Sequence, residues 1–289
     1  LAAVADPDRI RILVHRGYGL PRTPDSDTML LFSSYSGNTE EVLSAWDAAE
    51  RLDRGCPRAV ISSGGELVAR ARASGVPHLS VPAGLPPRAS LGHGIGVLCA
   101  VLDQVGDAGL GPQVPEAMAV LEAGTRRWGL VAESTDDSLE RLAGQLADRL
   151  PILYSGCPLT HAVAGRWRAQ INENSKLLAS TAQLPELDHN EVVGFGQSTP
   201  VRDRACVIAL RDDSDHPRVS LRFEATREAR GLPDDAWTER RAEPGVPLAR
   251  MVDLVQQGDV LSCLIARNAA IDPVEVDVID RIKRRLSSG

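Results

Sequence analysis

The stretch from Leu31 to Glu41, LFSSYSGNTEE, narrows the folds open to this sequence more than any other, because an apolar strand end runs through hydroxyls and a glycine directly into a helical pattern. The same turn is a candidate anion cradle. Ser34, Ser36 and Thr39 supply hydroxyl donors, Gly37 lets the backbone turn and approach a ligand closely, and the free N–H groups of the following helix point at negative charge. A Ser/Asn/Thr helix cap, with Glu40 and Glu41 complementing the helix dipole, explains the same residues equally well.

Elsewhere short apolar runs alternate with longer helical patterns, the arrangement expected of a parallel sheet covered by helices. Strands are expected at Ile10–His15, Met29–Ser33, Ala59–Ser62 and His78–Val81, with helices at Thr39–Arg54, Glu66–Ala73, Ser90–Val105, Val114–Gly124 and Ser138–Leu150. The pattern then restarts. Ile152–Ser155, Ala205–Leu210 and Val219–Glu224 read as strands, and Leu159–Lys176, Met251–Gln256, Asp259–Asn268 and Val274–Leu286 as helices. Two similar α/β halves follow, 1–150 and 151–289, within the size that lets each bury its own core.

Composition limits the partners. Hydrophobic residues at 43% and charged residues at 25% fit a soluble globular chain, and aromatic content of 3% argues against base-stacking platforms and nucleic acid. With a formal net charge of −7, a phosphate must be drawn by local donors and a few placed cations. The five cysteines are scattered without CxxC spacing, so neither a disulfide framework nor a zinc site is expected, and Cys99 and Cys263, inside apolar runs, read as core residues. No apolar run approaches the ~20 residues that span a bilayer, and no basic-then-apolar leader is visible, so a cytoplasmic protein is expected. Lys176 and Lys283 are the only lysines in an arginine-rich chain.

Three further segments have chemical content. In AGLPPRAS, prolines rigidify the approach to Arg88, whose guanidinium can pin a phosphate or stabilise an enediolate; a solvent-facing arginine after a proline turn is the plainer reading. In QINENSK, Glu173 is a candidate general base among amides, although glutamates at helix ends are common on surfaces. In LPELDHNEVVG, His189 is the best placed of six histidines to move protons near neutral pH, with Asp188 or Glu191 as an orienting partner. No spacing of His, Cys, Asp and Glu makes a convincing metal site.

Taken together, SYSGNTEEVLSAW at 34–46, AVISSGGELVARARASGVPHLSVPAGLPPRASLG at 59–92, INENSK at 171–176, LPELDHNEVVG at 184–194 and GDVLSCLIARNAAIDPVEVDVIDRIKRRL at 258–286 resemble the bifunctional phosphoglucose/phosphomannose isomerase family. That resemblance implies two SIS (sugar isomerase) domains, each a flavodoxin-like three-layer α/β/α unit with a mainly parallel sheet. It implies an aldose–ketose isomerase that takes glucose 6-phosphate to fructose 6-phosphate through a cis-enediolate, without metal or other cofactor. Ser34 and Thr39, helped by Ser36, would hold the phosphate, Glu173 would be the base, and Arg88 would stabilise the enediolate. His189 would open the ring from the partner subunit of a homodimer, and Lys283 would approach the ring oxygen or hydroxyls.

Two departures accompany the match. Family members open with a strand and a glycine/serine loop of the form GMGGSAIGGD, and Leu1 falls where that loop has just ended, so the first domain is expected to be N-terminally incomplete. Where the family often has Asp-Pro-Thr-Pro-Val, this chain has Asp272-Pro273-Val274-Glu275-Val276, which removes a hydroxyl near the substrate, so isomerisation of mannose 6-phosphate is a weaker expectation than that of glucose 6-phosphate. The alternative in a different class is a non-catalytic SIS module that binds a phosphosugar to regulate or scaffold a partner, a role that needs none of Glu173, His189 and Lys283.

Overall fold

The computed structural model describes residues 1–52, 55–129, 133–197 and 199–286. It divides into two compact units, Leu1–Gly111 and Pro112–Gly289.

The first unit holds a parallel three-stranded sheet of β1 (Leu30–Ser33), β2 (Arg58–Ser62) and β3 (His78–Ser80), in that order. Helices α1 (Glu40–Glu50) and α2 (Gly65–Ala73) follow β1 and β2, and α3 (Leu91–Gly106) follows a 3-10 turn at Pro87–Ser90. Phe32, Val60, Trp46, Ala49, Leu67 and Ala71 form the core between sheet and helices. The expected helix over Thr39–Arg54 is thus α1; its last two residues lie outside the described set.

Ile10–His15 is not a strand. A strand exists only through pairing, and β1, which pairs with β2, carries no second partner among the described residues. A second difference concerns the stretch Pro87–Gly106, which is helical for 20 residues and apolar enough to cross a membrane by length and composition, so the expectation that no run reaches that length fails. Isoleucine, valine, leucine, alanine and Cys99 between its glycines raise its hydropathy. The stretch is also tied into its own unit: Cys99 and Val101 are buried, and the Asp103 carboxylate accepts the backbone N–H of Leu110 at 2.8 Å.

The second unit is built on a parallel four-stranded sheet, ordered β5 (Ser180–Gln183), β4 (Leu150–Ser155), β6 (Ala205–Arg211), β7 (Trp237–Arg241). Its helices are α4 (Val114–Arg127), α5 (Ser138–Gln145), α6 (Pro158–Ser175), α7 (Pro200–Arg204), α8 (Pro217–Ala229), α9 (Pro247–Asn268) and α10 (Asp277–Leu286). The fold is therefore α/β with parallel sheets, as expected.

The sequence places the domain change near residue 150, whereas the compact units part at Gly111. Side-chain contacts with α9 account for this: Gln256 Nε2 donates to the Leu121 carbonyl at 3.1 Å, and α4 and α5 both pack on α9. Val219–Glu224, expected as a strand after the Asp212–Pro217 turn, lies in α8. Pro217 starts that helix, the His216 ring accepts from the Arg218 N–H at 3.1 Å, and Phe223 and Thr226, three apart, face the core. The two helices expected at 251–256 and 259–268 are one, α9, with Gly258 inside it. Cys99 is buried as expected; Cys263 is exposed, because it sits on the outward face of α9 between inward-facing Leu261, Ser262 and Ile265.

Candidate active site

In the first unit, β1 delivers its chain to a loop whose hydroxyls bond one another. Ser34 Oγ and Thr39 Oγ1 lie 2.8 Å apart, Ser34 Oγ also accepts the Gly37 N–H at 3.1 Å, and Ser36 Oγ accepts the Asn38 N–H at 3.2 Å. Ser34 is buried; Ser36 and Thr39 are exposed. Thr39 stands at the N-cap position of α1, yet its hydroxyl makes no capping hydrogen bond and turns onto Ser34 instead. The cap reading of this segment loses its chief participant.

A second loop, Ser62–Gly65 at the end of β2, interlocks with the first. Gly37 has φ +70°, and a Cβ there would stand 1.8 Å from the Gly64 carbonyl oxygen; Gly65 has φ +78°, and its Cβ would stand 2.2 Å from the Ser36 carbonyl oxygen. Only glycine fits either position. Ser63 Oγ donates to the Tyr35 carbonyl at 2.6 Å, and the Asn38 side chain accepts the Glu66 N–H at 3.0 Å at the start of α2. Gly37 is thus fixed by a neighbouring loop, a constraint its own sequence context does not reveal. Tyr35 draws in the third segment, its phenolic oxygen accepting the Leu85 N–H at 3.0 Å. Arg88, half-buried, follows in the 3-10 turn. The first unit therefore joins Ser34, Ser36 and Thr39 in one loop and ties that loop to the segment carrying Arg88.

In the second unit Glu173 lies in the last turn of α6, half-buried. The motif around it is mostly structural. Asn174 Nδ2 donates to Ser262 Oγ at 2.9 Å, Ser175 Oγ to the Ser262 carbonyl at 2.7 Å, and the Asn172 side chain accepts the Ala179 N–H at 2.8 Å. Lys176 ends the helix in the left-handed region at φ 52° and donates from Nζ to the carbonyls of Glu173 and Asp272, both at 2.9 Å. One of the two lysines thus fastens the end of α6 to the connection between α9 and α10. The other, Lys283, lies on α10, a helix with no buried residue.

His189 is exposed at the end of a 3-10 turn, Glu186–His189, that follows β5. Its neighbours reach away from it: Asp188 accepts from Arg222 Nη1 and Thr226 Oγ1, both at 2.7 Å, and Glu191 accepts from Tyr154 Oη at 2.5 Å. Burial pushes the Tyr154 phenol far above its ordinary value and lowers the Arg230 guanidinium to about 10. Two histidines without an evident role in the sequence have partners. His216 caps α8, and His161 Nδ1 lies 2.7 Å from Ser155 Oγ, with burial lowering its pKa.

The arrangement gives the first unit a preformed cluster of hydroxyl donors, with Arg88 on a segment tied to the same loop, a set suited to an oxyanion, and the second unit an acid/base inventory on separate elements. Residues 135–286 match the family model of the bacterial phospho-glucose isomerase C-terminal SIS domain. Along nearly the whole chain, a bifunctional phosphoglucose/phosphomannose isomerase of Caldicellulosiruptor bescii is 33% identical over 285 residues, 98% of this chain and 84% of that protein. The enzyme of the same name from Aquifex aeolicus is 36% identical over 275 residues, 94% and 80% of the two chains. Among solved structures, glucosamine-6-phosphate deaminase of Thermotoga maritima shares the fold with a TM-score of 0.60 at 12% identity, covering 88% of this chain and 74% of that one. With the hydroxyl loop, the parallel sheets and these matches in agreement, the chain belongs to the bifunctional phosphoglucose/phosphomannose isomerase family.

Proposed function

We propose that this chain is an aldose–ketose isomerase that interconverts glucose 6-phosphate and fructose 6-phosphate through a cis-enediolate, with mannose 6-phosphate as the second aldose. The observation that carries this reading is the Ser34–Thr39 hydroxyl pair, held 2.8 Å apart and withdrawn from helix capping, beside an arginine-bearing segment. In this reading Ser34, Ser36 and Thr39 donate to the phosphate. His189 moves the proton of the C1 hydroxyl to the ring oxygen as the C1–O5 bond breaks. Glu173 takes the C2 proton and returns it at C1, while a proton passes from O2 to O1, so the reaction balances within the substrate. Arg88 offsets the negative charge on the enediolate, and Lys283 supports the ring oxygen or hydroxyls.

A homodimer whose partner subunit supplies His189, in the cytoplasm, completes the proposal. A non-catalytic phosphosugar-binding module is not favoured, since relatives matched over almost the whole chain bear isomerase names. The test is a coupled assay with each aldose phosphate on the wild type and on Glu173→Gln. Wild-type turnover with loss of ~100-fold or more in the variant is expected of a general base; equal turnover by the two proteins removes Glu173 from the role.

A further inference from the structure

The loop that carries His189 is held with more polar chemistry than an exposed residue requires. Leu184, Leu187 and Phe195 already anchor it in the core of the second unit. Yet the residue before His189 is bonded twice to α8, through Arg222 and Thr226, and Glu191, two residues after it, is bonded to Tyr154 on β4. Glu191 is also the carboxylate 3.6 Å from Arg230, whose side chain is wholly buried. The Arg230 guanidinium lies 3.3 Å from the Phe195 ring centroid and 4.5 Å from that of Tyr154, and none of its nitrogens has a hydrogen-bond partner among the described residues. A desolvated guanidinium is costly to keep, and Glu191 is the carboxylate that faces it. Asn190 between them bonds Glu186 at 3.0 Å and caps the Glu191 N–H at 2.6 Å. The backbone is thus pinned on both sides of His189 while the imidazole itself projects into solvent.

We propose that Asp188, anchored by Arg222 and Thr226, and Glu191, anchored by Tyr154 and Arg230, are positioning residues for His189, acting through the backbone on either side of it rather than on its ring. Such a pair fixes the point from which the imidazole reaches a sugar held elsewhere, and a displacement of about 1 Å at a reacting group can cost ~100-fold in rate. The inference rests on His189 being the ring-opening residue.

The experiment is a double-mutant cycle on kcat and KM for glucose 6-phosphate. Asp188→Asn keeps the shape and an acceptor for Thr226, and Thr226→Val removes one anchor while leaving Asp188 intact. Both are expected to lower kcat by ~10-fold or more with KM changed less than about twofold, and Thr226→Ser to restore it. In a His189→Ala background the Asp188→Asn and Glu191→Gln changes should have no further effect. If they lower the residual activity there by the same factor as in wild type, or if KM carries the loss, the positioning role is wrong and the residues merely stabilise the fold. His189→Ala at full wild-type turnover is a separate result, which overturns the ring-opening assignment itself and with it the positioning role.

Discussion

Replacing Gly37 by alanine tests the interlocked loops directly, because the molecule contains its own control. Gly37 and Gly75 share nearly the same left-handed backbone, φ +70° and +67°, but an added Cβ at Gly37 meets the Gly64 carbonyl oxygen at 1.8 Å and one at Gly75 meets nothing within 4 Å among the described residues. Both substitutions carry the left-handed strain of ~1–2 kcal/mol, partly offset by ~0.4–1 kcal/mol from a stiffer unfolded chain. Gly75→Ala should therefore cost about 1 kcal/mol. At Gly37 the carbonyl must also retreat by more than an ångström, and overpacking of that kind adds ~1–3 kcal/mol. The expected gap between the two variants is about 2 kcal/mol. Native-state hydrogen exchange at the β2 amides reads it locally, which matters in a chain of two compact units where a single unfolding transition is not assured. Separating the loops also disturbs the Ser34–Thr39 pair, so the KM for glucose 6-phosphate should rise in Gly37→Ala and stay unchanged in Gly75→Ala. Equal protection in the two variants would refute the claim that the Gly64 carbonyl, and not backbone conformation alone, demands glycine.

Other outcomes follow from the same structure. Thr39→Val, which removes the hydroxyl without shortening the branched side chain, should raise KM for the sugar phosphate ~10-fold with little change in melting temperature, as steady-state kinetics and calorimetry would show. If the partner subunit supplies His189, mixing unfolded Glu173→Gln and His189→Ala proteins and refolding them together should recover about a quarter of wild-type activity, because half of the dimers are hybrids with one intact site; no recovery means each chain uses its own histidine. At Asp212, burial pushes the carboxyl up, but hydrogen bonds from Arg250 at 2.9 Å and from Ser214 more than offset it and hold the pKa below its ordinary value. A depressed carboxyl stabilises the fold above its unfolded pKa and loses that contribution as pH falls through the folded one. Asp212→Asn should then cost ~1.5–3 kcal/mol at pH 7 and progressively less as pH falls below the ordinary carboxyl pKa of ~4, measured by urea unfolding across that range.

What could be read from the sequence was local. The LFSSYSGNTEE turn announces a strand, a hydroxyl cluster and a helix in consecutive residues, so β1, α1 and the candidate phosphate ligands were all legible. Val219–Glu224 does not form the expected strand, since Pro217 and the His216 cap commit the segment to a helix. Strands β5, STAQ, and β7, WTERR, carry too little apolar character to announce themselves; β7 is stabilised from across the sheet, where Arg211 donates to Glu239 at 3.1 Å. At the site, residue types suggested roles, but the partners that fix them lie far along the chain: Gly64 for Gly37, Tyr35 for the loop before Arg88, α8 for Asp188. No spacing rule reports such pairs.

Lys176 has a further effect through the carbonyls it holds. By fastening Asp272, and Pro273 at 3.4 Å, to the end of α6, it makes that point a pivot for everything downstream. Residues 274–276 form a short tether and α10 a rigid arm, so extended-chain and helical rises limit the Cα of Lys283 to about 25 Å from the pivot whatever direction the arm takes. The reach of the Lys283 charge from the end of α6 is therefore bounded by seven helical residues and a three-residue connection rather than by diffusion through the solution.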